Sequence, residues 1–140
     1  MTPLLEQVLE QYPKDVKLVF KHFPLGNHKF AGPAALSSLA ANDQGKFWEF
    51  HDLVFANYNK LSSEKIRELA EAAGLDMTRY DRDLKDKVRE YTALVQRDFR
   101  EGQRNGVRGT PSIFVNGRLL KQRSLPGFKA MIEQTISRKK

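Results

Sequence analysis

Three histidines, His22, His28 and His51, are the side chains of this sequence best suited to ligating a metal or moving a proton near neutral pH. Their spacing fits no common ligand pattern, and no carboxylate stands near His22 or His28 in the chain, so packing and turn roles are expected. Glu49 and Asp52 could work as an acid–base pair, but both fit the solvated face of one helix. Ser112 and Ser124 lie in no Gly-x-Ser-x-Gly elbow. Gly102, Gly106 and Gly109 lack the Gly-Lys-Ser/Thr of a phosphate loop and the Gly-x-Gly-x-x-Gly of a dinucleotide site. The chain has no cysteine, which removes structural disulfides, thiolate metal sites, thiol nucleophiles and Cys-x-x-Cys redox chemistry. No catalytic side chain, no metal site and no cofactor is therefore expected within these residues, and stability must come from packing alone.

At 140 residues the chain fits one domain, able to bury roughly two thirds of the surface its unfolded form would expose. Its composition, 40% hydrophobic and 29% charged, is that of a globular protein. No apolar run is long enough to cross a bilayer. The start, Met1-Thr2-Pro3-Leu4-Leu5-Glu6, lacks the basic residues and apolar stretch of a secretion signal. A formal charge of +7 and a pI near 9.7 invite a nucleic-acid reading. Most basic residues, however, alternate with acids, as in Arg79-Tyr80-Asp81-Arg82-Asp83-Leu84-Lys85-Asp86-Lys87. Only Arg138-Lys139-Lys140 and the series Arg97, Arg100, Arg104, Arg108 resemble patches, and a solvated helix face explains the series. Neither nucleic acid nor a membrane is expected as a partner.

The elements that must position these residues follow from local signals. Thr2-Pro3 starts a helix carrying Leu4, Leu5, Val8 and Leu9, with Thr2 as N-cap and Pro3 at the first helical position, and Tyr12-Pro13 ends it. Val16 to Phe23 reads as a strand of period two, Val16, Leu18 and Phe20 facing one way and Lys17, Val19 and Lys21 the other. After the Leu25–His28 turn, Pro33 opens a small-residue helix that Asn42 to Gly45 breaks. Phe47, Trp48, Phe50, Leu53, Val54 and Phe55 recur at helical spacing and are expected in the core. Ser62-Ser63-Glu64 caps a helix terminated by Gly74, Asp76 caps a short one through Leu84, and a longer one carries Val88, Tyr91, Val95 and Phe99 to Asn105-Gly106. Pro111 to Val115 is β-rich, Asn116-Gly117 is a two-residue hairpin turn, and Arg118 to Lys121 is the return strand. Pro126 opens a last helix with Phe128, Met131, Ile132 and Ile136 on one face.

That order, with Gly106-Val107-Arg108-Gly109-Thr110-Pro111-Ser112-Ile113-Phe114-Val115-Asn116-Gly117, resembles the DsbA-like branch of the thioredoxin-fold family of thiol-disulfide oxidoreductases. Further matches are Phe20-Lys21-His22-Phe23-Pro24-Leu25, His28 with Ala31 and Ala34-Ala35, Gly45 to His51, and Ala72-Ala73-Gly74-Leu75-Asp76. The resemblance implies an α/β, thioredoxin-like fold as a single domain over residues 1–140, with a helical insertion at about 31–105. It also implies a cis Thr110–Pro111 bond, which the flanking glycines and the hairpin favour over the alternative of a trans Pro111 opening an edge strand. In the family this loop offers backbone groups to an extended polypeptide beside the redox cysteines. Val107, Arg108, Gly109, Thr110 and Pro111 are accordingly the expected substrate-binding residues.

The chain departs from the family at its start. Active members carry a strand leading into Cys-x-x-Cys at the N-terminus of the first helix, where the helix dipole lowers the thiol pKa. Thr2-Pro3-Leu4-Leu5 matches residues just after that motif, so the first strand and the cysteines are expected to be missing through truncation of a longer parent. In the family the missing strand lies between the strands at 16–23 and 112–116. The gap is expected to close by direct pairing of these two, by exchange in a homo-oligomer, or by a borrowed strand. Two functions follow: a redox-inactive remainder of a thiol-disulfide oxidoreductase acting on protein substrates, or a redox-inert peptide-binding or dimerising module. A fragment of a glutathione-linked transferase or isomerase of the same fold is a third. The family implies a periplasmic or extracytoplasmic bacterial parent, while the bare sequence leaves a cytoplasmic one open.

Overall fold

Local signals set most element ends in the computed structural model, which describes residues 3–139. Thr2, the expected first N-cap, and the side chains of Lys139 and Lys140 lie outside the described residues. Seven α-helices, with a single 3-10 turn at Tyr58–Lys60, occur among the described residues: α1 (Pro3–Gln11), α2 (Ala31–Asp43), α3 (Phe47–Ala56), α4 (Ser63–Ala72), α5 (Met77–Asp86), α6 (Val88–Arg104) and α7 (Leu125–Lys139). Two short strands, β1 (Phe114–Val115) and β2 (Arg118–Leu119), complete the order. None of these helices is long and apolar enough to cross a membrane.

The described residues fall into two compact units. One combines those up to Phe20 with those from Val107 onward, and holds α1, the hairpin and α7. Its core is Val8 of α1 with Leu120, Phe128 and Ile132, flanked by Ile113, Val115 and Met131. Tyr12 donates its hydroxyl to Glu133 at 2.9 Å, tying the end of α1 to α7. The hairpin pairs Phe114 with Leu119 and Val115 with Arg118. Asn116 (φ 47°) and Gly117 (φ 81°) make its turn, the left-handed pair that the right-handed twist of the strands favours. One further bond, Leu120 N to Ile113 O at 2.8 Å, extends it beyond the two-residue strands.

The other unit, Lys21–Gly106, contains α2 to α6. Its small-residue helix α2 packs against α3, α4, α5 and α6, which Ala34, Ala40 and Ala41 allow by bringing the backbones close. Around it sit Phe50, Ile66, Leu69, Tyr80 and Tyr91. The two buried tyrosines keep partners for their hydroxyls, Ser37 Oγ at 2.8 Å from Tyr80 and Asp43 Oδ2 at 2.6 Å from Tyr91. Ser62 accepts from Lys65 N and Asp76 from Arg79 N, the two N-caps expected from sequence.

Three expectations need correction. Residues 16–23 form no strand, and the 16–23 segment is not paired with 112–116 among the described residues; the sheet has two strands, and the structure is mostly helical. A strand needs a ladder as well as an alternating pattern. The alternation persists only in part: Val16 and Leu18 are half-buried while Lys17 and Val19 are exposed, but Phe20, expected on the face of Val16 and Leu18, is exposed. Helix α2 begins at Ala31, with Pro33 inside its first turn, where the missing N–H costs no helical bond. On α3 only Phe50 is fully buried, and Phe55 is 54% exposed. A ten-residue helix with apolar residues around most of its circumference cannot bury them all.

Candidate peptide-binding loop

The chain enters the loop through the end of α6. Asn105 N bonds to the carbonyls of Glu101 and Gly102, and Gly106 (φ 80°) takes the left-handed conformation that stops the helix. The Thr110–Pro111 peptide that follows is cis. Val107 and Gly109 are half-buried, whereas Arg108, Thr110 and Pro111 are exposed. All five expected site residues therefore lie in one short segment leading to β1.

Two side chains hold this segment, and neither was among the expected site residues. Ser112 Oγ donates to the Gly109 carbonyl at 2.7 Å. Arg123, just before α7, donates from its guanidinium to the Pro111 carbonyl at 3.1 Å. Ser112 carried a readable signal, since serine commonly bonds a carbonyl three residues back. Arg123 carried none, because its partner is distant in sequence. The backbone N–H and C=O groups of Val107, Arg108 and Thr110 make no hydrogen bond among the described residues. In an exposed segment such groups are satisfied by water or by an added chain.

The histidines are placed apart from this chemistry. His22 is buried, its backbone N–H donating to Asp98 Oδ2 at 3.1 Å. Burial lowers its pKa, and the Asp98 charge opposes that shift. His51 lies in an aromatic cluster, stacked on Phe55 with ring centres 4.4 Å apart, and its Nδ1 is 3.1 Å from Asp52. Burial brings the His51 pKa down to about 4. No group of three or more His, Asp or Glu that could hold a metal ion occurs among the described residues. The segment offers main-chain donors and acceptors beside a cis proline, and the chain contains no cysteine thiol.

Comparison with known proteins adds an ancestry to this geometry. A family model described as Thioredoxin matches residues 1–134. The Na(+)/H(+) antiporter NhaA 3 of Salinispora tropica is 36% identical over 117 residues, covering 83% of this chain and 18% of that protein. The NhaA 1 antiporter of Mycolicibacterium vanbaalenii is 32% identical and covers 83% of this chain and 19% of its own length. The NhaA antiporter of Herminiimonas arsenicoxydans is 35% identical over 107 residues, with 76% and 17% covered. The chain thus spans less than a fifth of these curated relatives. No solved structure matches it significantly.

Proposed function

We propose, from the premise that this chain belongs to the thioredoxin family, that it is a DsbA-like module holding extended polypeptide at Val107–Pro111 without performing a redox step of its own. The observation that carries this reading is the exposed segment at Arg108, Thr110 and Pro111, with the backbone groups of Val107, Arg108 and Thr110 free of hydrogen bonds among the described residues. An extended peptide laid along it satisfies those groups as an added strand does, main-chain bonds supplying affinity and neighbouring side chains selectivity. Disulfide exchange proceeds by thiolate attack through a mixed disulfide. These 140 residues contain no cysteine, so the thiols for any exchange at this loop come from elsewhere. The expected setting is an extracytoplasmic bacterial one, with unfolded or extended polypeptides as substrates.

The match to under a fifth of proteins named Na(+)/H(+) antiporters supports reading the chain as a module, whose neighbours in such proteins carry other activities. A second reading, self-association, rests on a different observation. The backbone of Lys17, Leu18 and Val19 makes no hydrogen bond among the described residues, and unpaired main-chain groups of this kind can pair with those of a second copy. Light scattering gives a dimer mass if that reading holds and a monomer mass if it fails.

The test of the main reading is an NMR titration of the labelled chain with a cysteine-blocked, unfolded peptide such as carboxymethylated insulin B chain. Shifts gathered on the amides of Val107 to Thr110 are expected. No shifts, or shifts centred on another segment, refute the loop as the peptide site. Insulin reduction by the chain alone should not exceed the uncatalysed rate.

A further inference from the structure

The net charge of this chain is gathered around the loop. From Gly102 to Ile132 the sequence holds no Asp or Glu and six basic residues, Arg104, Arg108, Arg118, Lys121, Arg123 and Lys129. The other 109 residues hold 18 basic and 17 acidic side chains, so six of the seven net positive charges fall in these 31 residues. Three of them stand at the loop. Arg108 is part of the segment and exposed. Arg123, also exposed, donates to the Pro111 carbonyl at 3.1 Å. The bond from Leu120 N to Ile113 O carries the hairpin one step past the Phe114–Leu119 pair, which sets the exposed Lys121 opposite Ser112. None of the three forms an ion pair among the described residues. The bond that Arg123 makes is to a neutral acceptor, so it fixes the side chain and leaves its charge uncompensated.

The main chain of the segment selects which anion fits. The N–H and C=O groups of Val107, Arg108 and Thr110 are unpaired among the described residues. Their carbonyls need donors as much as their N–H groups need acceptors. Phosphate oxygens only accept, so a row of phosphates leaves those carbonyls to water. An extended polypeptide brings donors and acceptors in alternation and satisfies both kinds of group. In an added strand every second side chain falls on the same face, about 7 Å from the next. Carboxylates at alternate positions therefore present one negative face, and guanidinium forks take carboxylates through two bonds at once.

We propose that this loop selects extended polypeptides rich in Asp and Glu, with Arg108, Lys121 and Arg123 as the selecting cations. The proposal rests on the reading of Val107–Pro111 as the peptide site and adds the class of substrate. An exposed ion pair strengthens binding about two- to fivefold, so three together favour an acidic peptide over its neutral analogue by about tenfold or more. Added salt screens the preference.

The test titrates the labelled full chain with three peptides of equal length in which Thr alternates with Glu, with Gln or with Lys. Amide shifts give both the site and the affinity. At low salt the Glu peptide should bind about tenfold tighter than the Gln peptide, and the Lys peptide weakest, with the shifts gathered on Val107 to Thr110. At about 1 M salt, where charges are screened beyond about 3 Å, the Glu and Gln peptides should bind alike. The double variant Arg108→Gln, Lys121→Gln should bind the Glu peptide at least about fourfold more weakly and the Gln peptide unchanged. Arg123 is kept because it also holds the Pro111 carbonyl. The charge-matched variant Lys60→Gln, Lys85→Gln, at exposed sites of the other unit, should bind both as the parent chain does. Equal affinity for the Glu and Gln peptides at low salt, with shifts on the loop, overturns the acidic preference and leaves the peptide site standing. Shifts on the loop with none of the peptides overturn the site and the preference together. Equal losses in the two double variants, or Glu-peptide shifts centred on another segment, overturn the proposal. So does an oligothymidylate of equal charge that shifts the same amides at lower concentration than the Glu peptide.

Discussion

Replacing Gly127 with alanine sets helix propensity against steric fit, and the structure decides the sign. Gly127 is buried in the first turn of α7, its N–H donating to Ser124 Oγ at 3.1 Å. A Cβ built there collides with the Gln122 carbonyl oxygen, with Gln122 C and Cβ both at 3.1 Å. Propensity alone favours alanine over glycine by about 1 kcal/mol. The Gln122 carbonyl cannot simply rotate away, because it is backbone and accepts from Ser124 N at 3.0 Å, which holds the residue that caps α7. Moving it forfeits a hydrogen bond worth about 1 kcal/mol, strains a cap of similar worth, and adds an overpacking penalty of roughly 1–3 kcal/mol. Gly127→Ala should therefore destabilise by about 2–4 kcal/mol after the propensity gain is subtracted. Urea unfolding followed by circular dichroism should show a lower midpoint with an unchanged slope. Gly32→Ala is the matched control. That site is also helical, nothing lies within 4 Å of its added Cβ, and a gain of up to about 1 kcal/mol is expected. A Gly127→Ala midpoint equal to or above wild type would refute the steric reasoning.

Removal of either side-chain cap in the helical unit, Ser62→Ala or Asp76→Ala, should cost about 1 kcal/mol, read as a lowered thermal midpoint. His51 titrates near 4 in the folded chain because it is buried, against about 6.5 when unfolded, so between those values the unfolded state binds the extra proton. Its contribution is thus fully present above about pH 6.5 and lost as the pH falls towards 4, and the lowered pKa of His22 adds in the same direction. Stability measured across that range should fall with acid, and His51→Phe should flatten the fall; an unchanged acid limb would show that His51 is not the group responsible.

Particular residues show how far the fold could be read beforehand. The caps at Ser62 and Asp76, the stop at Gly106 and the turn at Asn116-Gly117 all stand where local chemistry puts them. The segment Val107 to Pro111 was singled out by its resemblance to a family motif, and the cis bond found at Thr110–Pro111 was expected from that resemblance alone. The anchors Ser112 and Arg123 were not expected. The arginines of α6 were expected to be solvated, and Arg89, Arg97, Arg100 and Arg104 are exposed; that Asp98 turns to the His22 backbone and Glu101 to Lys21 is decided by the tertiary structure.

The sequence by itself determined the helices, the hairpin turn and the lack of any thiol, because caps, left-handed glycines and residue identity act within a few positions of the chain. Only the tertiary structure decided that the alternating run at 16–23 joins no strand ladder among the described residues, that Arg123 holds the Pro111 carbonyl, and that Gly127 has no room for a methyl group. Ladders, long-range hydrogen bonds and steric contacts are relations between residues far apart in the chain, and a local pattern prepares a segment for such a partner without supplying one.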